Sequence, residues 1–427
     1  MKPHLQFVDH PTPEPDYTAA LKLRLTHELR ERGPLGFQEL VQAAEGAYPS
    51  DVLSALHALH TDGQAFLLPS AKWSRHELSS QTVVPRSSNI PPTTPTSSDG
   101  LPEPHPVDFD WRFTNKTLAD LGKYINPSEL EHVAVLGAPT LYRYLTDSGI
   151  NAHLFDKNPY IVKHFKAAGY STVTESDLFK FSNFSTKFQW VIADPPWYIE
   201  HYYAFLKASS KLLAKEGKLL LSVLPRLTRP SAPRDRLNII ELAAKFGFDL
   251  IEVRPAALHY ASPPFEIEAL HAEDLALDDW RTGDMFCFTL RCHPLQEPDP
   301  HKPTDEDNWQ VFQLGTTIVK IKDEQRLNSE AFDYRPVSPT GSVRLRSVSR
   351  RSPVRPKINL WTSRNIALAV SKPVALSEAL EKLRNGHPLT RTLASTAYEY
   401  QLNTDEVNKL QEVLELLSKD AGLIWSD

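Results

Sequence analysis

The sequence predicts an α/β protein built on a doubly wound, mostly parallel sheet of seven strands, with small helical modules at its flanks. Three observations predict this. Between residues 108 and 293, short apolar runs of strand length alternate with stretches of helical period, as in repeated strand–helix–strand units. The runs are apolar without alternation, as strands buried on both faces are. Glycines close several of the helical stretches, and two prolines stop the strongest apolar run.

In chain order, residues 1–78 form the first module. Tyr17, Leu21, Leu25 and Leu29 recur every four residues and predict a helix that Gly33-Pro34 ends. Phe37, Leu40, Val41 and Ala44 mark a second helix, and Pro49-Ser50-Asp51 opens a third with Val52, Leu53, Leu56 and Leu59 apolar. Asp62-Gly63 is a turn, and Gln64 to Leu68 reads as a short strand. Three helices followed by such a strand resemble a winged helix. Modules of this kind either contact nucleic acid or dock on protein. The third helix carries His57 and His60 but no Arg or Lys, which is weak for a recognition helix. Residues 79–107, with seven prolines among Ser and Thr, read as a flexible linker.

The predicted sheet comes next, in residues 108–293. Phe109 to Thr114 leads into a helix near 116–124. His132 to Gly137 is the first strand; a turn and helix run from Ala138 to Leu145, with Pro139 suited to a first helical position. Ala152 to Phe155 is the second strand, ending at Asp156, and Pro159 to Ala168 a helix closed by Gly169. Ser171 to Thr174 is the third strand and Gln189 to Ala193 the fourth. A helix from Tyr202 to Leu213, a fifth strand from Gly217 to Leu224 and a helix from Arg236 to Phe246 come next. Phe248 to Val253 and Asp284 to Arg291 are the last two strands, with Tyr260 to Glu266 read as a loop between them.

Residues 294–335 read as an acidic, Pro-rich connection around a hairpin, Trp309–Leu314 with Thr317–Ile321. Residues 336–374 lack Asp and Glu and hold eight cations, from Arg344 to Lys372. They read as a flexible basic segment, either a phosphate-tracking arm or a solvated linker. Residues 375–427 close as a helical module, with Val407, Leu410, Leu414 and Leu417 on one face.

The bulk numbers bound the function. A chain of 427 residues, 41% apolar and 23% charged, has a soluble composition and room for two or three domains. No apolar run approaches the ~18 residues of a membrane span. Met1-Lys2-Pro3-His4 leads into no apolar segment, so no secretory signal is expected. Cys287 and Cys292 are too few for a disulfide framework and fit a cytoplasmic, reducing location. His259 and His271 lack metal-ligand spacing, so no metal is expected. A net charge of −6 does not itself favour nucleic acid, and the uneven distribution of charge carries more information.

Chemistry concentrates where the fourth strand runs into Asp194-Pro195-Pro196-Trp197-Tyr198. Neither proline can give a ladder N–H, so the strand stops and leaves a carboxylate, a stiff turn and an indole at the sheet's C-terminal edge, where open α/β sheets bind ligands. An aromatic amino nitrogen is a poor nucleophile because its lone pair is delocalised. The Asp194 carboxylate and the Pro195 carbonyl form an acceptor pair that can hold its two N–H groups and favour a pyramidal nitrogen. Trp197 offers a flat face to a base, worth about 1–3 kcal/mol of stacking. A base within a duplex would have to be flipped out to reach it.

Asp194-Pro195-Pro196-Trp197 resembles the catalytic motif of S-adenosylmethionine (SAM) dependent methyltransferases acting on amino groups, above all N6 of adenine. Leu136-Gly137-Ala138-Pro139-Thr140-Leu141-Tyr142 is similar to the Gly-[ST]-Pro-x-[LI] pattern of one group of class I adenine-N6 and lysine methyltransferases that share the Asp-Pro-Pro-aromatic motif. The cofactor half precedes the motif here, as in the unpermuted members. The resemblance implies a Rossmann-like methyltransferase sheet with SAM at Gly137, Ala138 and Pro139. Asp156, nineteen residues beyond Gly137, stands where a carboxylate holds the ribose hydroxyls. Asp177 either meets the cofactor's adenine or is a solvated loop carboxylate. Tyr198, Arg226, Arg229 and Phe265 are the candidate substrate contacts, with Arg234 and Arg236 adding to a cationic cluster suited to phosphate. The expected function is SAM-dependent methyl transfer to an amino nitrogen, with adenine N6 in DNA or RNA the leading acceptor and a protein lysine the alternative. An aminopropyl transferase is a further alternative, but Gly137 to Thr140 lacks the acidic run that such enzymes carry after the first strand. A non-catalytic scaffold that binds nucleic acid or protein is the last.

Overall fold

The computed structural model describes residues 16–76, 100–125, 132–294, 309–322 and 331–425. The four-residue spacing of Leu21, Leu25 and Leu29 gives α1 (Tyr17–Arg32) a buried stripe, and Asp16 caps it by accepting from the Thr18 and Ala19 N–H groups. Then come β1 (Leu35–Gly36), α2 (Phe37–Ala43), α3 (Pro49–Thr61), β2 (Phe66–Leu67) and β3 (Lys72–Ser74). The three strands form a small antiparallel sheet ordered β1-β3-β2. The apolar core of this unit runs on into Leu227, Leu270, Leu277 and Trp280 of the next region, so the module is packed against the main sheet.

The main sheet is built from β4 (Arg112–Phe113), β5 (Val133–Leu136), β6 (Ala152–Asp156), β7 (Val173–Glu175), β8 (Phe188–Ala193), β9 (Leu213–Val223), β10 (Phe248–Ala261) and β11 (Thr282–Leu290). Between them lie α4 (Asn115–Ile125), α5 (Pro139–Asp147), α6 (Pro159–Ala167), α7 (Ile199–Leu212), α8 (Ala232–Lys245) and α9 (Pro264–His271). The order is β4-β10-β11-β9-β8-β5-β6-β7. β5 to β9 pair in parallel; β11 runs antiparallel to both β9 and β10, and β4 antiparallel to β10. All of β5 is buried, because helices cover both faces of the parallel strands. This is a Rossmann-like doubly wound sheet. From β5 the chain winds outward to β6 and β7, then returns to place β8 on the other side of β5. That reversal creates a switch point at the C-terminal ends of β5 and β8.

A second sheet comprises β12 (Trp309–Leu314), β13 (Thr317–Lys322), β14 (Tyr334–Pro336), β15 (Leu360–Thr362) and β16 (Ala367–Val370), antiparallel in the order β12-β13-β15-β16-β14. Helices α10 (Pro373–Arg384), α11 (Leu389–Tyr400) and α12 (Thr404–Ala421) share its core. No described helix is long and apolar enough to cross a membrane.

Four expectations change. The main sheet has eight strands rather than seven, because Arg112–Phe113 pairs with the far end of β10, which extends well past Val253. Tyr260 to Glu266 is not a loop: Tyr260 lies in β10, and Pro264 opens α9. The linker reading covers residues 79–99, outside the described residues, and 100–107, which are tied down. There Leu101 is buried, Glu103 pairs with Arg364, and the His105 ring bonds the Trp361 carbonyl. The basic segment at 336–374 is not flexible either. It supplies β15 and β16, buries Trp361, and pairs several of its cations with acids elsewhere in the protein: Arg350 with Glu200, Arg364 with Glu103, Arg344 with Glu268 and Asp420. Arg346, Arg351 and Lys357 stay exposed.

Candidate active site

Strand register assembles the site. Leu136 lies beside Ala193 on one side and Phe155 on the other. The residues just beyond each strand, or ending it, are Gly137, Asp194 and Asp156, so all three arrive at one level of the sheet edge. They line a cleft of about 500 Å³ at the switch point.

Gly137 has φ +66°, and a Cβ there would lie 3.3 Å from the Phe205 ring and 3.5 Å from the Asp194 carbonyl oxygen. The positive φ favours glycine, and the tight approach of Phe205 adds to that; without a side chain the backbone is open to the cleft. Asp156 is buried, and its Oδ1 accepts from the Asn158 N–H at 2.8 Å. Burial pushes its carboxyl up to about 7, with the Asn158 N–H opposing and the nearby Asp110 and Asp108 adding to the rise. Asp177 also lines the cleft while capping the turn Leu178–Lys180 through the Phe179 N–H. Asp108 sits on the same wall; against burial, which alone would raise it, Lys320 at 2.6 Å holds it down to about 2. These residues fit SAM: an uncrowded glycine backbone, a buried acid at the end of the second parallel strand, and acidic surroundings for a cationic cofactor.

Asp194 is the end point of a directed hydrogen-bond chain. The Tyr260 hydroxyl donates to Asp194 Oδ1 at 2.7 Å. It therefore accepts from Ser222 Oγ, 2.6 Å away. Ser222 Oγ in turn accepts from the Trp197 indole N–H at 3.3 Å. An indole can only donate and a carboxylate can only accept, so both ends set the direction. Burial pushes the Asp194 carboxyl up to about 7, against Tyr260, Ser222 and the charge of Arg281.

Trp197 is itself buried, and the Arg281 guanidinium lies 4.1 Å from its ring centroid. Arg281 also lies 4.3 Å from the Trp111 ring centroid, so one cation serves two indoles. A base stacking on Trp197 must use the opposite face. Arg229 does not present its charge to phosphate: it donates to the Trp197 carbonyl at 2.7 Å and pairs with Asp235 at 2.8 Å. It thereby fixes the turn. Tyr198 lines the cleft, with Arg229 and Arg350 over its ring.

The structure thus brings together Asp194, Pro195, Pro196, Trp197, Tyr198, Gly137, Asp156, Asp177, Arg229 and Phe265 around one cleft. Ala138 and Pro139 instead start α5 as its N-cap and first residue. Arg226 turns to Glu45 of the first module at 3.0 Å, and Arg236 to Asp284 at 2.6 Å. The expected cationic cluster is largely dispersed, because Arg226 and Arg236 find carboxylates that the local sequence does not reveal and Arg229 pairs with Asp235. Arg234 alone of the four stays exposed outside the described ion pairs. Sequence reasoning missed Tyr260 as the partner of Asp194, Arg281 between two indoles, and Tyr48, Glu266 and Glu273 on the wall facing the first module. Trp280-Arg281, a bulky aromatic beside a cation just before an apolar strand, is the signal that could have pointed to Arg281.

Residues 111–245 match the family described as "Probable N6-adenine methyltransferase". The match spans β4 through α8 and includes Gly137, Asp156 and Asp194 to Trp197. It supports a SAM-dependent methyltransferase, with SAM as the cofactor. No curated protein matches the chain. Among solved structures, a branched-chain polyamine synthase mutein from Thermus thermophilus, in complex with N4-aminopropylspermidine and 5'-methylthioadenosine, is similar at 14% identity with a TM-score of 0.49, over 67% of this chain and 90% of that one. TrmN from the same organism is similar at 14% identity with a TM-score of 0.29, over 40% of this chain and 48% of that one. Likenesses at this level do not bear on activity.

Proposed function

We propose that this protein transfers a methyl group from SAM to an amino nitrogen held at Asp194. The observation that carries the reading is the Trp197–Ser222–Tyr260–Asp194 chain, which points three successive donors toward one carboxylate at the sheet edge. The cofactor supplies an electrophilic methyl on a positively charged sulfur. Gly137 gives it backbone to lie against, and Asp156 has its other oxygen for the ribose hydroxyls. Asp194 and the Pro195 carbonyl accept the N–H groups of the acceptor and orient its lone pair. Transfer of that methyl, with the thioether as leaving group, would make the nitrogen cationic and leave it a proton to shed. Asp194, its carboxyl raised to about 7, is matched to take that proton near neutral pH. Holding the reactants in line supplies the rest of the acceleration.

Two acceptors present such a nitrogen. Adenine N6 is suggested by the family's description, and the first module, read as a winged helix, would then help hold DNA or RNA. An alkylamine fits the same acceptor pair. It is favoured by a specific observation: Arg226, Arg229, Arg236, Arg350 and Arg364 are paired with Glu45, Asp235, Asp284, Glu200 and Glu103. Besides Arg281 over its two indoles, this leaves Lys157 and Arg351 as the cleft-lining cations outside the described ion pairs. The test is to incubate the full chain with methyl-labelled SAM and adenine-containing oligonucleotides, basic peptides and polyamines, and to locate the label by mass spectrometry. Label on nitrogen supports the reading. Label on carbon or oxygen alone refutes it.

A further inference from the structure

One wall of the cleft takes no part in the methyl transfer. It is formed by the start of α3, with Tyr48, Ser50 and Asp51, and by α9 and residues 272–281, with Glu266, Glu273 and Trp280. Trp280 packs edge-on against Tyr48 at 5.5 Å and against Trp111 at 6.3 Å. Glu266 is only 2% exposed, yet its Oε1 has no hydrogen-bond partner among the described residues, and neither does the buried Oε2 of Glu273. A buried carboxylate oxygen left unpaired costs several times what a paired one does, so a donor is missing on this wall. The neighbouring groups do not fully supply it. Tyr48 beside Glu266 and Ser50 beside Glu273 offset the burial of these carboxyls only in part. The charge of Arg281 also opposes the burial of Glu266, but its guanidinium lies over the two indoles. Glu266 is in none of the described ion pairs, and its Oε1 stays without a donor among the described residues. Asp51 adds a third acid, its Oδ2 accepting from Tyr17.

We infer that Glu266 and Glu273, walled by Tyr48 and Trp280, form a second subsite that binds a protonated alkylamine of the acceptor molecule. The ligand must bring donors to the buried carboxylate of Glu266 and the buried Oε2 of the half-buried Glu273, and positive charge to an acidic wall, and it must tolerate aromatic neighbours. An ammonium group on an alkyl stem does all three. A nucleic-acid phosphate brings neither the donors nor the positive charge. The inference rests on the amino-transfer reading and narrows it: the nitrogen at Asp194 reacts in its neutral form, while a second nitrogen of the same molecule stays charged at Glu266. A free polyamine and a lysine side chain of a basic peptide share this chemistry. The indole N–H of Trp280, also buried without a partner among the described residues, would be met by a peptide carbonyl and not by a polyamine.

The experiment uses the full chain with SAM and three probes: spermidine, an oligolysine peptide and an adenine-containing oligonucleotide. Methyl transfer and calorimetric binding are measured for the wild type, Glu266→Gln, Glu273→Gln and Asp194→Asn. Wild-type transfer to spermidine or to oligolysine is expected, and whichever is accepted identifies the source of the amine. KM for that amine should rise roughly tenfold or more in Glu266→Gln, the scale of a lost charged hydrogen bond, with SAM affinity unchanged. Unchanged KM in both glutamate variants overturns the subsite. So does binding of the oligonucleotide alone, or binding of none of the probes by the wild type. These outcomes are separate from failure of the amino-transfer reading, which shows instead as full activity in Asp194→Asn.

Discussion

The hydroxyl of Tyr260 donates to Asp194 Oδ1 across 2.7 Å, from a strand 66 residues away in sequence. Tyr260→Phe removes that donor and leaves the carboxyl with only Ser222 and the charge of Arg281 to oppose its burial. A hydrogen bond to a charged group is worth about 1.5–3 kcal/mol, so kcat should fall roughly ten- to a hundredfold with little change in SAM affinity. The pH profile gives a second readout. Wild-type transfer should rise with pH through about 7 as Asp194 ionises, and the variant's rise should lie at higher pH. Steady-state kinetics from pH 5 to 9 measure both.

Glu266 links the fold to pH. Burial raises its carboxyl to about 7 in the folded protein, against the charge of Arg281 and the hydroxyl of Tyr48, whereas an unfolded glutamate titrates near ~4.3. The folded state therefore holds the proton more tightly. Below about 4 both states are protonated and nothing is lost; as pH rises from about 4 to about 7, the unfolded state ionises first and stability falls. Glu266→Gln removes this loss. Its Tm relative to wild type should increase from pH 5 to pH 8, by an amount corresponding to about 3 kcal/mol at most. A constant Tm difference across that range would contradict the assignment.

Gly137→Ala places a Cβ where φ is +66° and Phe205 stands 3.3 Å away. The left-handed backbone alone costs a non-glycine residue about 1–2 kcal/mol, and the methyl group narrows the surface offered to the cofactor. Weakened binding of SAM and of its demethylated product is expected by calorimetry, together with a modest loss in urea stability. Unaltered affinity would remove Gly137 from the cofactor site.

How much of this can be read from the chain depends on distance along it. Gly137, Asp156 and Asp194 are legible because each lies at the end of a parallel strand, and strand ends of a doubly wound sheet converge by register alone. Asp-Pro-Pro-Trp is legible because four adjacent residues carry it. Tyr260 reads as part of a loop because Pro263-Pro264 suggests one, although β10 continues to Ala261 before those prolines open α9. The arginines mislead for a different reason. Arg364 and Glu103 lie 261 residues apart, and the partner that neutralises a cation cannot be inferred from the cation's own neighbourhood. Residues 336–374 look flexible because their acids sit elsewhere in the chain, on α7, on α9 and at Glu103. Glu266 is hidden in the same way: its setting is made by α3 of the first module, whose docking on the sheet no local pattern announces.

The most direct measurement is single-turnover methyl transfer by Asp194→Asn beside the wild type, with SAM binding measured on the same preparations. The asparagine keeps the shape and can still accept from Tyr260, but it can neither take a proton nor carry charge. The account expects SAM to bind both proteins alike while transfer to nitrogen falls by roughly two to four orders of magnitude, the range for loss of a positioned acid–base group. Transfer at the wild-type rate by Asp194→Asn, with SAM bound, would contradict it.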